Sequence, residues 1–270
     1  MADDLNIFDS TGAPSVDTTV SHSARIWNYW LGGKDNFAVD REIGDQFREL
    51  FPDIVPIARG SRDFLARAVT YLAKEADIRQ FLDIGTGLPT ANNTHEVAQS
   101  VAPDSRIVYV DNDPMVLTHA RALLVGATEY LDADLRDPEQ IMAAAARETL
   151  DLTRPVGVVL MNILGHVPNL DVAKSIVDRL MGPLPSGSHL VVADGTSVVR
   201  GAEFERAIAV WNASGSLPYH LRNTEQLSSF FDGLELVEPG LVSCPFWRPD
   251  PAANPAPREV DEFGAVGRKP

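Results

Sequence analysis

Gln80-Phe81-Leu82-Asp83-Ile84-Gly85-Thr86-Gly87 decides the fold: an apolar run ends in an acid and passes into a turn with two glycines. About one βα unit later a second apolar run, Ile107-Val108-Tyr109-Val110, closes on Asp111. Glycines let the backbone approach a ligand where a Cβ would block it, and a strand-to-helix turn presents free amides. Asp111, at the end of the next strand, is placed to accept both hydroxyls of a ribose. The pair predicts a nucleotide-binding edge on an α/β sheet. A dinucleotide fingerprint needs its third glycine at position 90, which is Thr90, and does not call for an acid two residues before the first glycine. S-adenosylmethionine (SAM) has no pyrophosphate but carries an ammonium and a sulfonium, so acids near the turn suit it. The alternative for this turn taken alone is an ordinary strand-turn; Asp111 favours the ligand.

Outward from this edge, strands and helices alternate. The expected strands are 80–84, 106–110, 128–131, 156–161 and 188–193, and the valine-rich runs at 156–160 and 190–193 suit parallel strands buried on both faces. Asp113-Pro114 and Asp137-Pro138 each read as an N-cap followed by proline in the first helical position, so helices follow the second and third strands. Upstream, helices are expected over Ser21 to Leu31, stopped by Gly32-Gly33, over Val39 to Leu50, and after Ser61, read as a cap. Downstream, a short helix over Thr224 to Phe231 stops at Gly233. The last apolar pieces, Leu234 to Val237 and Phe263 to Gly267, pair as an antiparallel hairpin at the sheet edge, with the proline-rich stretch between them as its loop. No internal repeat is visible. The fold class is therefore α/β: a doubly wound, mostly parallel sheet with an N-terminal helical extension. Residues 1–20 read as a mobile polar tail, 21–78 as a helical lid, and 79–270 as a SAM-binding domain compact with that lid.

The 270 residues can bury a full core in one large domain. The 38 acids against 23 bases leave a formal charge of -15, a field that opposes phosphate backbones and anionic lipid heads. Nucleic acid and membrane are accordingly not expected as partners, and the oligomeric state stays open. A single cysteine, Cys244, excludes an intrachain disulfide and fits a reducing compartment. Residues 1–20 lack a basic n-region and an apolar h-region, so a cytoplasmic location is expected. The histidines are scattered and show no metal-ligand spacing; His95, His119 and His189 read as surface positions.

The order of elements resembles a class I SAM-dependent methyltransferase, with a seven-stranded sheet whose seventh strand is antiparallel. More narrowly, the stretches 24–36 (ARIWNYWLGGKDN), 81–87 (FLDIGTG) and 110–114 (VDNDP) resemble a bacterial family of S-adenosyl methyltransferases common in actinomycetes. The resemblance runs from Ser21 to Lys269, and it implies the fold and the cofactor but no substrate. Carried onto this chain, it implies that Asp83 faces the methionine amino group and that Gly85, Thr86 and Gly87 line its floor. Asp111 and Asn112 hold the ribose, Asp134 and the Leu135 amide read the adenine edge, and Asn162 flanks the reacting methyl. One departure stands out: Pro89 replaces the usual third glycine and removes an N–H donor.

Other candidates stand beside plainer readings. Asp134 lies among several acids whose alternative is a solvated loop. Trp27, Tyr29 and Trp30 offer aromatic faces to a cation or to adenine, or simply pack. Arg25 is a candidate clamp for the SAM carboxylate, or one half of a surface ion pair. His166, just past the fourth strand, is a candidate general base, or an ordinary loop histidine. Tyr29, Trp30 and Ile163 are expected to enclose an apolar or aromatic acceptor. The run 162–165 is Asn-Ile-Leu-Gly, not the Asn-Pro-Pro-aromatic motif of enzymes that methylate amino groups of nucleic-acid bases. The expected activity is methyl transfer from SAM to oxygen or nitrogen of a small or medium-sized molecule. The rivals are a SAM-binding sensor without turnover and a nicotinamide-dependent reductase.

Overall fold

Five strands form where the apolar runs predict them, and all five are parallel. They are β1 (Gln80–Ile84), β2 (Arg106–Asp111), β3 (Thr128–Asp132), β4 (Gly157–Met161) and β5 (His189–Gly195). The computed structural model describes residues 17–90, 92–116, 128–214, 217–252 and 256–270. Most of the expected N-terminal tail, His119, the greater part of the helix after Asp113 and the middle of the proline-rich loop lie outside the described residues. With β6 (Glu235–Leu236) and β8 (Glu262–Arg268) the sheet runs β3-β2-β1-β4-β5-β8-β6, so β4 stands at its centre beside β1, and the chain reverses direction across the sheet between β1 and β4. That reversal opens a crevice at the carboxyl ends of the strands.

Side chains alternate across the strands, and each face has its own core. Leu82, Val108, Val158 and Leu190 pack on one face against α5 (Pro138–Glu148) and α6 (Leu170–Met181). Phe81, Ile107, Val159 and Val191 face the other way, onto α3 (Ile54–Lys74). Burial on both faces is why these strands read as near-continuous apolar runs. As the sequence indicates, Asp137 caps α5 by accepting from Gln140 N, with Pro138 at its start, and Asp113 accepts from Met115 N at the start of its helix.

At the N-terminus, α1 (Ser23–Trp30) ends at Gly32, which has φ +82°, and α2 (Ala38–Leu50) follows. Ser61 is not a cap. The third helix begins at Ile54 instead, with Pro56 in its first turn, where a missing N–H goes unneeded. Ser61 lies buried mid-helix. The far end of α3 packs on the sheet through Phe64, Leu65, Ala68 and Leu72. Its near end joins a third core, where Ile54 and Ile57 meet Ile26, Trp30, Phe47 and Phe51. This third core also takes in Phe204 and Trp211 from α7 (Ala202–Ala213), a helix the sequence reading passed over although Phe204, Ala207, Ile208 and Trp211 have helical spacing. A short α8 (Thr224–Ser228) and α4 (Thr94–Val101), after the glycine turn, complete the helices described in full.

The C-terminal strand β8 (Glu262–Arg268) inserts between β5 and β6 (Glu235–Leu236), antiparallel to both. The expected pairing of the last two apolar pieces is present. The edge position beyond β8, however, is shared by β6 and a second two-residue strand, β7 (Val242–Ser243), which raises the expected seven strands to eight. Arg67 fastens this region to α3 by donating to the carbonyls of Trp247 (2.7 Å) and Cys244 (2.8 Å). His189 is not a surface position: it is buried at the start of β5, and that burial lowers its pKa.

A methyl at Gly264 in β8 would come 2.8 Å from Phe64 Cζ and 3.1 Å from Ala193 Cβ, at the seam between α3 and the sheet. Gly264→Ala should therefore destabilise the protein by about 1 to 3 kcal/mol. The check is a lower urea midpoint with an unchanged slope.

Candidate active site

The cleft at the carboxyl ends of β1, β2 and β4 has a volume of about 150 Å³ and is lined by Asp83, Gly85, Thr86, Gly87, Asp111 and Asn162, among others. Gly85 and Gly87 have φ of +72° and +65°, and a Cβ on Gly85 would lie 2.6 Å from Ile163 Cδ1. The turn thus needs glycine both for its dihedrals and for the closeness of the β4 loop. Asp111 is anchored through both oxygens, accepting from Gly87 N (2.9 Å) and Asp113 N (3.0 Å). Its pKa is raised, chiefly by burial. Asp83 is buried and accepts from Thr94 Oγ1 at 2.6 Å; burial pushes its pKa up to about 6.

Arg62, one residue past Ser61 on α3, lines the same cleft. Among the described residues no hydrogen bond or salt bridge engages its guanidinium, and burial lowers its pKa while the charge of Asp83 opposes that shift. The sequence reading missed it because nothing near Arg62 in the chain marks it; only the packing of α3 brings it beside Asp83. An anion and an otherwise unengaged cation side by side match the ammonium and carboxylate of an amino-acid group. Beyond Asp111 the cleft continues into a recess of about 140 Å³ lined by Asn112, Asp134, Leu135 and Ile163. The Asp134 carboxylate is held by Arg136, through Nε at 2.9 Å and Nη2 at 2.5 Å, and these bonds lower its pKa.

Past β4, Asn162 has φ +54°, a left-handed conformation that asparagine tolerates better than most residues. Its Nδ2 donates to Ser61 Oγ (3.0 Å) and to Glu262 Oε1 (3.2 Å). Glu262 is fully buried, and that burial pushes its pKa up to about 8. His166 ends a short 3-10 helix, Leu164–His166, and its Nδ1 lies 2.8 Å from the Pro218 carbonyl. A carbonyl can only accept, so Nδ1 carries the hydrogen and the neutral ring keeps a lone pair on Nε2. Burial lowers the His166 pKa and favours that neutral form.

A second pocket of about 80 Å³ adjoins the cleft, sharing Ser23, Trp27, Asn162 and His166 with it. Its walls are Trp30, Phe47, Ile54, Phe204, Trp211 and Tyr219. Gly165 matters here, since a Cβ would fall 2.3 Å from the Tyr219 ring that closes one side.

Most of the residues singled out in the sequence converge: Asp83, Gly85, Thr86, Gly87, Asp111, Asn112, Asn162 and His166 line the cleft, with Asp134 and Leu135 in its recess. Three do not go where they were expected. Arg25 is buried away from the cleft, with its Nε donating to Asp40 and its Nη atoms to the carbonyls of Asp17 and Val20, so it forms an ion pair, but a buried one and not the surface pair expected. Tyr29 hydrogen-bonds Asp45 at 2.8 Å and lines none of these cavities. Ile163 covers Gly85 and lines the cleft and its recess instead of the aromatic pocket. Trp30 does line that pocket. His22, which the sequence did not mark, places Nδ1 2.9 Å from Asp113 Oδ2 and so joins the N-terminal segment to the Asp111 edge. Among the described residues no cluster of metal-ligating side chains occurs, and no helix is long and apolar enough to cross a membrane.

The profile of the S-adenosyl methyltransferase family matches residues 9–270. A DUF574 family protein from Streptomyces avermitilis is 48% identical, covering 95% of this chain and 100% of its own, with a TM-score of 0.90. A structure described as a putative methyltransferase from Thermobifida fusca is 39% identical, covering 94% and 96%, with a TM-score of 0.87. Human N-acetylserotonin methyltransferase, solved with SAM, shares the fold at 11% identity, covering 86% and 58%, with a TM-score of 0.50. No curated protein matches the sequence. The chain belongs to the S-adenosyl methyltransferase family and is a SAM-dependent methyltransferase, which sets aside the reductase and the sensor.

The buried Glu262 has a consequence for stability. The folded state keeps its proton up to about pH 8, whereas the unfolded chain releases it in the ordinary carboxylate range. The unfolded state is then favoured progressively as pH rises between those values. Asp83 and Asp194, each raised to about 6, complete their part lower in the range. Urea unfolding at about pH 6.5 and about pH 8 should show wild-type stability falling across the interval, and Glu262→Gln should flatten that fall. Equal slopes in the two proteins would show that Glu262 is ionised in the fold.

Proposed function

We propose that the methyl group goes to oxygen or nitrogen of a small molecule seated in the aromatic pocket beside the cofactor cleft. The observation that carries this reading is the shared boundary: Ser23, Trp27, Asn162 and His166 line both cavities, so an acceptor in one reaches a methyl donor in the other. When bound, SAM supplies an electrophilic methyl already activated by its sulfonium. The chain's own part is alignment and water exclusion, and holding the nucleophile about 3 to 3.5 Å from the methyl carbon supplies most of the acceleration.

In this reading Arg62 and Asp83 hold the amino-acid end of the cofactor, Asp111 and Asn112 the ribose, and Asp134 and Leu135 the adenine. Asn162 and His166 stand at the transfer point, with His166 as the base for a protonated nucleophile. The charge of -15 opposes nucleic acid as the acceptor, and the buried lone thiol fits work in the cytoplasm. The segment from Ser21 to Asn36 acts as a lid: Trp27 reaches both cavities from α1, and Gly32, at φ +82°, follows that helix as a hinge.

Two measurements test the arrangement. Asp111→Ala removes hydrogen bonds to a charged acceptor, about 1.5 to 3 kcal/mol each, and should raise the SAM dissociation constant at least about tenfold. Calorimetry showing unchanged affinity in a folded variant would take Asp111 out of the site.

Hydrogen exchange tests the lid. With SAM present, amides of residues 24–36 should exchange more slowly, whereas protection confined to residues 83–87, 111 and 134 would show that the segment does not close.

A further inference from the structure

We propose that the acceptor is a single-ring phenol, methylated on its hydroxyl oxygen. This rests on the reading of the aromatic pocket as the acceptor site and goes beyond it in naming the chemical class.

The first argument is the wall. Among the described residues no Asp, Glu, Lys or Arg lines this pocket, so nothing in it balances a carboxylate, phosphate or ammonium on the acceptor. Three of the aromatic side chains have their polar atoms engaged by other parts of the protein. Trp30 Nε1 donates to the Gly44 carbonyl at 3.1 Å, Trp211 Nε1 donates to the Leu217 carbonyl at 3.0 Å, and the Tyr219 hydroxyl donates to Asp194. What faces the cavity is ring and hydrocarbon. Trp30, Phe47 and Trp211 meet one another at tilted or edge-on angles, with centroids 5.3 to 6.1 Å apart. Such walls favour a flat apolar body.

The second argument is size and placement. The pocket, at about 80 Å³, is roughly half the engineered cavity of about 150 Å³ that takes benzene. A single ring therefore enters only part-way, and its far edge stands in the mouth shared with the cofactor cleft. The polar side chains of the lining, Ser23, Asn162 and His166, belong to that mouth. A substituent on the ring is thus delivered to the cleft by the shape of the cavity.

The third argument is the base. His166 is fixed through Nδ1 to the Pro218 carbonyl and held edge-on to Tyr219, with ring centroids 5.2 Å apart, which leaves Nε2 as the acceptor. A neutral amine already has a free lone pair and needs no base to attack. A hydroxyl gains from one, provided its acidity lies within reach of imidazole. Phenols ionise near about 10, whereas water, a guide to simple alcohols, ionises near about 15.7. In the transfer the phenolic oxygen forms its bond to the methyl carbon as the carbon–sulfur bond breaks. That bond's electron pair stays on sulfur, giving S-adenosylhomocysteine, and the hydroxyl proton passes to His166 Nε2 and on to solvent.

The test uses the full chain, label-bearing SAM and matched single-ring acceptors: a panel of simple phenols including p-cresol, with p-toluidine and benzyl alcohol as the amine and alcohol of similar shape. At least one phenol should be O-methylated about tenfold or more faster than either control. His166→Gln should lower that turnover by about 10²-fold with S-adenosylhomocysteine affinity kept. Ile208→Trp, which fills the pocket from α7, should raise the KM for the phenol at least about tenfold. S-adenosylhomocysteine binding with no phenol bound or turned over, or faster transfer to p-toluidine, overturns the phenol assignment and leaves the methyltransferase standing. Phenol turnover unaffected by His166→Gln overturns the base. Failure to bind S-adenosylhomocysteine would instead overturn the assignment of the cofactor cleft.

Discussion

The side-chain amide of Asn162 ties together three elements that are far apart in the chain. It donates to Ser61 on α3 and to Glu262 at the start of β8, while its own backbone N–H donates to Ala193 of β5 at 2.8 Å. The left-handed backbone at Asn162 turns the chain out of β4 and toward His166. Glu262 lies so deep that its proton is retained well above the usual carboxylate range, so a neutral acid, not a buried charge, completes the junction. A buried polar group without partners costs about 1 to 3 kcal/mol; this network engages Asn162 Nδ2 and the Ser61 hydroxyl, while Glu262 Oε2 has no partner among the described residues. Both cavities of the active site share Asn162, so their common boundary depends on this junction.

Charge is arranged in opposite ways on the two sides of that boundary. On the cofactor side, Asp83, Asp111 and Arg62 are buried or nearly so, and desolvation works against the charge on each. A ligand bearing the opposite charges would relieve that penalty, and this is the physical basis for the amino-acid end of the cofactor proposed there. In the adjoining pocket the walls are aromatic and aliphatic, and burial drives His166 at its mouth toward neutrality. A cavity of this kind selects by shape and by one hydrogen bond at its mouth.

The fold supplies this asymmetry through α3. One end of the helix packs on the sheet, the other belongs to the N-terminal aromatic core, and Ser61 and Arg62 fall between the two. The helical extension is therefore built around the same rod that frames the cofactor cleft. Trp211 and Phe204 reach the aromatic pocket from α7, some 150 residues further along the chain from α3. A pocket assembled from segments this distant has no local signature.

The sequence by itself determined the sheet and the glycine turn and acids at its carboxyl edge. Both are written in contiguous residues: apolar runs buried on two faces, a glycine turn after β1, acids at strand ends, and Asp-Pro starts to the helices that follow β2 and β3. These features rest on local backbone chemistry and on side-chain periodicity, which a chain displays before it folds. The N-terminal aromatics and the loop after β4 could be marked from the chain as well, but not sorted. Trp30 reaches the pocket while Tyr29 is turned to Asp45, one residue away on the same helix, and Ile163 covers Gly85 instead of lining that pocket. The tertiary structure alone decided that Arg62 and not Arg25 stands at the cleft, that Glu262 is buried under Asn162, and that α7 closes the aromatic pocket. Each of these depends on which elements meet across the core, and long-range packing leaves no trace in the neighbouring residues of the chain.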